Sequence, residues 1–350
     1  MIEVGLIGFG LAGRAFHAPV IRAVPGLHLA AILQRTGNEA AEKYPDVRIV
    51  RSIEELLAIK EIRLIVIATP NDTHFTLARH CLQSGRGVVV DKPFATTYED
   101  AAALVEIAKK SGRFLTVYQN RRYDGDFQSI RQLVTEKTLG RIVRFETHYD
   151  RFRPNLKPNS WRERTGPGTG ILFDIAPHLI DHALVLFGLP AAVTADVRAE
   201  REHAQADDAF DIFFHYPNNL RVLLGSSILA ANPRPRFIVF GTQGSYEKRS
   251  FDPQESNLRR GDPPTDRSWG WEPEENWGIL TTPSGDSFNQ RRIPSAPCDY
   301  RGYYANVRDT LLGVASPAVT LPWSLDIMRL LELCRESSTR RCTLPFVPSA

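Results

Sequence analysis

Three groups of residues have types and spacings suited to chemistry. Lys92 comes after the β-branched run Val88-Val89-Val90 and Asp91 and precedes Pro93. Such a run reads as a buried strand of a parallel sheet, and ligands bind outside the carboxyl ends of those strands. A partly desolvated lysine there has its charged form disfavoured, which suits it to proton transfer. The plain alternative is a surface lysine after a strand. Asp174 and His178 stand four residues apart, so on a helix they share a face. The imidazole exchanges a proton near neutral pH, and a neighbouring carboxylate would orient it. Here the alternatives are a core histidine on a capped helix, or a metal ladder of Asp174, His178 and His182. The third group, Gly8-Phe9-Gly10-Leu11-Ala12-Gly13, comes directly after the apolar Val4–Ile7 and precedes a helical stretch. In that context GxGxxG permits a tight turn, close backbone approach to a pyrophosphate, and a helix N-terminus facing it.

The elements that position these groups alternate strand and helix over the first third of the chain, the pattern of a parallel sheet. Pro19 is expected to break the first helix near His17, a residue read as structural or as lying near the cofactor. The second strand, Leu29–Leu33, runs into Gln34-Arg35-Thr36, where a dinucleotide fold usually carries an acid for the ribose 2′-hydroxyl. With Arg35 and Thr36 there instead, a 2′-phosphate is accommodated, so NADP(H) is the expected cofactor and NAD(H) the secondary one. Thr69-Pro70-Asn71-Asp72-Thr73-His74, at the end of the buried strand Leu64–Ala68, reads as cofactor contact, as helix capping, or as both. The expected cofactor contacts are thus Gly8, Phe9, Gly10, Leu11, Ala12, Gly13, Arg35, Thr36, Thr69, Pro70, Asn71, His74, Asp91 and Lys92. Ser52-Ile53-Glu54-Glu55 is a capping box, and Gly85 and Gly112 are helix stops.

Asn120-Arg121-Arg122-Tyr123-Asp124 marks a crossover, after which the pattern changes. A helix bearing Phe127, Ile130, Leu133 and Val134 is succeeded by stretches Arg141–Tyr149, Val193–Ala199, Phe210–Tyr216, Leu220–Ser226 and Phe237–Phe240 that read as mainly antiparallel strands. Pro217-Asn218-Asn219 reads as a hairpin turn. Ser250–Pro297, with Trp269, Trp271 and Trp277 interleaved, reads as a long ordered loop, and helices near Tyr303–Leu312 and Leu325–Glu336 close the chain. The expected fold is α/β: a dinucleotide-binding domain over 1–120 with a doubly wound parallel sheet, and a second domain over 121–350 with a large antiparallel sheet. A formal charge of +3, with bases scattered among acids, does not indicate a nucleic-acid or membrane partner. Cys81, Cys298, Cys334 and Cys342 form no close metal spacing and read as reduced thiols. Without a basic leader or an apolar run near membrane-spanning length, a cytoplasmic protein is expected.

Gly8-x-Gly10-x-x-Gly13, Asp91-Lys92-Pro93 and Gly168-x-Gly170-x-x-x-Asp174-x-x-x-His178 stand in the order and separations that resemble the Gfo/Idh/MocA family of oxidoreductases. The stretches Thr69–His74, Asn120–Tyr123 and Asp150-Arg151-Phe152-Arg153-Pro154 are similar to its NADP-dependent scyllo-inositol dehydrogenase branch. Two departures are Asp91 in place of glutamate and Thr169 in place of the middle glycine of GGG. The resemblance implies an N-terminal Rossmann domain and a C-terminal open sheet through which a homodimer or homotetramer forms. It implies that Lys92 bonds the reacting hydroxyl, that His178 exchanges its proton, and that Asp174 orients His178 or binds an adjacent hydroxyl. It also implies a cis Lys92–Pro93 bond. The substrate expected is a cyclic polyol or its ketone, with Asn120, Tyr149, Arg151, Asn155 and Trp161 as candidates beside Asp174 and His178 for lining its site. The alternatives are another sugar, or a cofactor-sensing regulator that needs the glycine loop but no proton transfer.

Overall fold

The computed structural model describes residues 1–157 and 160–349. Alternating apolar strands and short helices open the chain as β1 (Ile2–Ile7), α1 (Ala18–Arg22), β2 (Leu27–Leu33), α2 (Glu39–Lys43), β3 (Arg48–Val50), α3 (Ile53–Leu57), β4 (Ile62–Ile67), α4 (His74–Gln83), β5 (Gly87–Val90), α5 (Tyr98–Ser111) and β6 (Leu115–Val117). The strands pair in parallel in the order β3-β2-β1-β4-β5-β6. That order reverses between β1 and β4, and ligands bind at such a reversal. Buried on both faces, β5 is solid Val88-Val89-Val90, and the last four residues of β4 are equally buried. Burying each such side chain is worth about 1.5–3 kcal/mol, which anchors the strand ends and the residues attached to them.

Local signals set the helix ends. Ser52 accepts from the Glu55 amide, and Thr97 accepts from the Asp100 amide. Gly112 closes α5 at φ +61°, where a side chain is disfavoured. Pro19 does not break the first helix. The chain runs as a π-helical turn over Ala12–His17 and passes directly into α1, with Pro19 near the start of that α-helix.

After the crossover come α6 (Gly125–Thr135), β7 (Ile142–His148), α7 (Gly170–Phe187), β8 (Ala192–Arg198), β9 (Ala209–His215), β10 (Arg221–Ser227), β11 (Phe237–Gly241), β12 (Gly244–Lys248), α8 (Gln254–Arg260), β13 (Gly278–Ser284), β14 (Ser287–Ile293), α9 (Arg301–Leu311), α10 (Leu321–Arg340) and β15 (Leu344–Pro345). Their nine-stranded sheet has the order β14-β13-β12-β11-β7-β10-β9-β8-β15, antiparallel except where β7 and β10 pair in parallel. Ser250–Pro297 is therefore not a loop, since it carries α8 and the β13–β14 hairpin. Nor is the chain without a long apolar run. The 18 residues of α7 have a mean hydropathy of 1.5, enough by length and composition to cross a membrane, but 78% of the segment is buried in protein.

Two compact units result: Met1–Asn120 with Gln254–Trp269 and Asp299–Leu325, and Arg121–Pro253 with Gly270–Cys298 and Asp326–Ala350. Two later segments thus return to the N-terminal unit. Tyr303 donates to the Val117 carbonyl at 2.9 Å, and Thr116 donates to the Val319 carbonyl at 2.9 Å. All four cysteines are free thiols.

Candidate active site

In the N-terminal unit the glycine turn sits at the point where the strand order reverses. Gly8 has φ +98°, and a β carbon there would lie 2.6 Å from the Ala68 carbonyl oxygen and 2.9 Å from Thr69 Cγ2. The strand ends carrying Gly8 and Thr69 are therefore in contact. At Gly13 an added carbon would lie 2.0 Å from the Gly8 carbonyl oxygen, so only glycine lets the helix close on the turn. Beside Gly10 no atom of the described residues lies within 4 Å of that position, which leaves the turn open where a pyrophosphate would approach. The residues present thus fit a dinucleotide. Phe9 packs edge-on against Tyr44 at 6.0 Å, and Leu11 is exposed.

Arg35 and Thr36 are exposed after β2. Their loop is braced by a residue the sequence did not single out. Arg51 donates from Nη1 to the carbonyls of Gln34 at 2.8 Å and Gly37 at 2.7 Å, and from Nη2 to Asn38 Oδ1 at 2.9 Å. Nothing in the local pattern Val50-Arg51-Ser52 announces this, because the partners lie more than ten residues upstream.

At the end of β4, Thr69 and Thr73 share a hydroxyl–hydroxyl contact of 2.6 Å, and Thr73 also lies 2.6 Å from the Pro70 carbonyl. Asn71 is buried. His74 has no exposed surface, and its ring lies between the Pro93 carbonyl at 2.8 Å and the Thr69 carbonyl at 3.1 Å. It ties the end of β4 to the lysine segment. Burial holds its imidazole below the ordinary value, against the pull of Asp91 and the two carbonyls. The Lys92–Pro93 bond is cis. Asp91 Oδ1 accepts from the Lys92 amide at 2.8 Å. Burial alone would raise the Asp91 carboxyl, but His17, Lys92 and His74 outweigh it and hold the group below the usual carboxylate range. Asn120, the last residue of this stretch, is largely buried.

In the second unit α7 carries Asp174 and His178 on one face. Its Thr169 makes no side-chain cap. Asp207, on the loop between β8 and β9, supplies the cap instead: its Oδ2 accepts from the Leu172 amide at 2.7 Å and its carbonyl from the Ile171 amide at 2.8 Å. Burial raises the Asp207 carboxyl, although the Leu172 amide and Arg335 oppose the shift. Gly170, at φ +82°, is required because a β carbon would lie 2.4 Å from Asp207 Oδ1. Gly168 also has a positive φ, of 70°, whereas Thr169 sits at φ −97°, ψ 173°. Threonine therefore replaces the middle glycine without strain.

Asp174 is partly exposed, with Arg162 Nε 3.6 Å from its Oδ1, and His178 is 5% exposed. His182 points elsewhere. Its ring stacks on Phe127 at 4.1 Å and its Nε2 lies 3.1 Å from the Arg121 carbonyl. Burial and the charges of Arg236, Arg121 and Arg122 hold it neutral, and no group of three metal-ligating side chains occurs among the described residues. One residue earlier, Asp181 accepts two bonds from Arg122, 2.7 Å from Nε and 2.6 Å from Nη2. The crossover segment is pinned to α7 by this pair.

Tyr149 is buried, accepts from Arg121 Nη2 at 3.0 Å, and has the Arg151 guanidinium 4.6 Å from its ring. Trp161 begins a short 3-10 turn and carries the Arg162 guanidinium at 4.5 Å. Asn155 is exposed, and its carbonyl accepts from Arg201 at 3.2 Å.

Residues 2–119 match the model of an oxidoreductase family with an NAD-binding Rossmann fold, and residues 127–247 match the Gfo/Idh/MocA C-terminal domain. The chain is 43% identical over 343 residues to the uncharacterized oxidoreductase YdgJ of Escherichia coli, covering 98% of each. It is 36% identical to IolW of Bacillus subtilis, a scyllo-inositol 2-dehydrogenase using NADP, over 98% of this chain and 95% of that one. The solved structure of the oxidoreductase yvaA from Bacillus subtilis superposes with a TM-score of 0.95 at 34% identity, covering 99% of this chain and 98% of the other. Together the two matched domains and the full-length relatives place this chain in the Gfo/Idh/MocA family of NAD(P)-binding oxidoreductases.

Proposed function

We propose that the protein is an NADP-dependent dehydrogenase acting on one secondary hydroxyl of a cyclic polyol, or on the corresponding ketone. Scyllo-inositol and its 2-keto form are the favoured pair. The observation that carries the reading is the retention of Lys92 after β5 together with Asp174 and His178 on one face of a capped α7. A cofactor sensor would need the glycine turn but none of these three.

Once bound, the nicotinamide supplies the redox chemistry by accepting or giving a hydride. Lys92 Nζ bonds the reacting hydroxyl and stabilises the negative charge that grows on its oxygen as the proton leaves. His178 takes that proton in oxidation and returns it in reduction. Asp174, on the same face of α7, orients the imidazole or holds a neighbouring hydroxyl. Tyr149, Arg151, Trp161 and Asn120 line the substrate, with the tryptophan offering an apolar face to a ring and the others offering polar edges. Gly8 to Gly13, with Thr69, Pro70 and Asn71, cradle the pyrophosphate and nicotinamide ends, and Arg35 with Thr36 receives the 2′-phosphate. His74 acts behind them as a positioning residue. The assembly proposed is a homodimer or homotetramer through the nine-stranded sheet, on which Phe213 and Phe240 are exposed.

The test is a set of initial rates with scyllo-inositol, myo-inositol, glucose and xylose, each with NADP and NAD, for the wild type and Arg35→Ala. Scyllo-inositol with NADP is expected to be fastest. A hydrogen bond to a charged group is worth about 1.5–3 kcal/mol, so Arg35→Ala should weaken NADP about 10–100-fold and NAD little. Turnover of an aldose alone would move the substrate and leave the residue roles. An equal loss with both cofactors would remove the 2′-phosphate assignment.

A further inference from the structure

The π-helical turn Ala12–His17 ends on a histidine that none of the roles above employs. A π turn inserts one extra residue into a helix and re-aims the side chains around it. The His17 ring has no exposed surface and lies tilted against Tyr118, with centroids 4.2 Å apart. Its Nδ1 is 2.6 Å from the Tyr304 hydroxyl on α9. Its Nε2 has no hydrogen-bond partner among the described residues and lies 3.6 Å from Asp91 Oδ2. The other carboxylate oxygen of Asp91 is the one that accepts from the Lys92 amide. One short acid therefore faces the glycine-turn helix with one oxygen and the lysine segment with the other.

We propose that His17, locked by Tyr304, is a positioning residue that presents an Nε2–H to Asp91 and through that carboxylate sets the orientation of Lys92. The proposal rests on the reading of Lys92 as the group that bonds the reacting hydroxyl. With Nε2 facing the Asp91 carboxylate, the imidazole proton belongs on Nε2, and the protonated Tyr304 hydroxyl is then the donor to Nδ1. The opposite tautomer would turn a nitrogen lone pair toward a carboxylate, which is repulsive. Were His17 doubly protonated, Nδ1–H would donate to the tyrosine oxygen and Nε2–H would still face Asp91. In each arrangement the proton between histidine and acid stays in place. The other titratable groups around the pair are Lys92 beside Asp91, His74 from α4, and Tyr118 and Tyr303 around Tyr304. Of the groups that hold the Asp91 carboxyl down, His17 is the one that faces Oδ2, at 3.6 Å. The same histidine ends the π-helical turn that follows the glycine turn, so through Asp91 it links that turn to the lysine segment.

The experiment compares His17→Gln, whose amide nitrogen reaches about as far as Nε2, with His17→Asn, which reaches only the Nδ1 position, and with Tyr304→Phe, which keeps the ring and removes the lock. Expected are a fall in kcat of about 10–100-fold for His17→Asn, a several-fold fall for Tyr304→Phe, and recovery to within a few-fold of wild type for His17→Gln. The dissociation constant of NADPH should stay within about two-fold in all three. Nitrogen-15 spectra of the wild-type imidazoles, which need no substrate, should show His17 protonated at Nε2. A His17 signal protonated at Nδ1 alone would overturn the proposal. So would equal losses in the Gln and Asn variants, which would reduce His17 to packing. Should His17→Asn fail to fold, an unchanged kcat in Tyr304→Phe overturns the proposal and a several-fold loss at unchanged NADPH affinity supports it. Lys92→Ala run in parallel separates the two readings. If it stays active, the lysine role fails and this inference falls with it; if it is dead while the His17 variants are normal, only this inference fails.

Discussion

Lys92→Ala is expected to lower turnover by about 10³-fold while NADPH binds within about two-fold of wild type. Removing a group that stabilises charge growing in the transition state costs on the order of 10²–10³-fold, and a positioned proton-transfer group contributes about 10²–10⁴-fold. The ground-state cofactor contacts of the glycine turn do not depend on the lysine, which is why kcat and cofactor affinity should separate. His178→Ala should show the same separation. The two side chains hang from elements whose backbone is fixed independently of them, β5 by its buried valines and α7 by the Asp207 cap. Fluorescence titration with NADPH, beside initial rates, checks both variants. Turnover near normal in either would remove that residue from the mechanism.

Asp181→Ala is expected to cost about 3–5 kcal/mol of stability, because it removes the bidentate carboxylate from a buried guanidinium, that of Arg122. The side chains are 13% and 2% exposed for Arg122 and Asp181, so water compensates little. A pair that only decorated the surface would be worth about 0–1 kcal/mol. Asp181 lies one turn from His178 on α7, so the variant should also lose turnover in the fraction that remains folded. Urea unfolding measures the stability term. Replacing both residues together by Arg122→Met and Asp181→Leu should recover much of the loss, since an apolar pair of similar volume is often neutral. A cost below about 1 kcal/mol for Asp181→Ala would show that the pair does not hold the crossover to α7.

The parallel sheet, the glycine turn and the Asp174–His178 face were legible because each is written in a few adjacent residues. Val88–Val90 can hardly be anything but a buried strand, and Thr97 and Gly112 mark the ends of α5 plainly. The residues that support the site were not legible. Arg51 acts on carbonyls at Gln34 and Gly37, and Asp207 acts on amides at Ile171 and Leu172, so neither belongs to a local pattern. Tyr304 reaches His17 across 287 positions of sequence.

The missed hairpin has a different cause. In β14 every residue from Ser287 to Arg292 is exposed, so no apolar alternation signals a strand. The turn Ser284-Gly285-Asp286-Ser287, with Gly285 at φ +58°, was the available signal. Lys248 and Glu272, bonded at 2.7 Å and buried, tie β12 to the stretch before β13 and give that region an order its polar composition hides. Gln254 does similar service in the N-terminal unit, where its Oε1 accepts from Trp269 Nε1 at 3.0 Å and from the Tyr300 amide at 2.8 Å. A contiguous reading of domains cannot anticipate such returns, because the segments involved are joined only in the folded chain.

Hydride is expected to pass directly from a ring carbon of the polyol to the nicotinamide while Lys92 and His178 handle the hydroxyl. Scyllo-inositol carrying deuterium on its ring carbons, incubated with NADP and the wild-type protein, tests this most directly. Reduced cofactor bearing one deuterium at C4 of the nicotinamide, formed by the wild type and not by Lys92→Ala, is the predicted result. Unlabelled NADPH, or no reduced cofactor from any polyol despite tight NADPH binding, would contradict it.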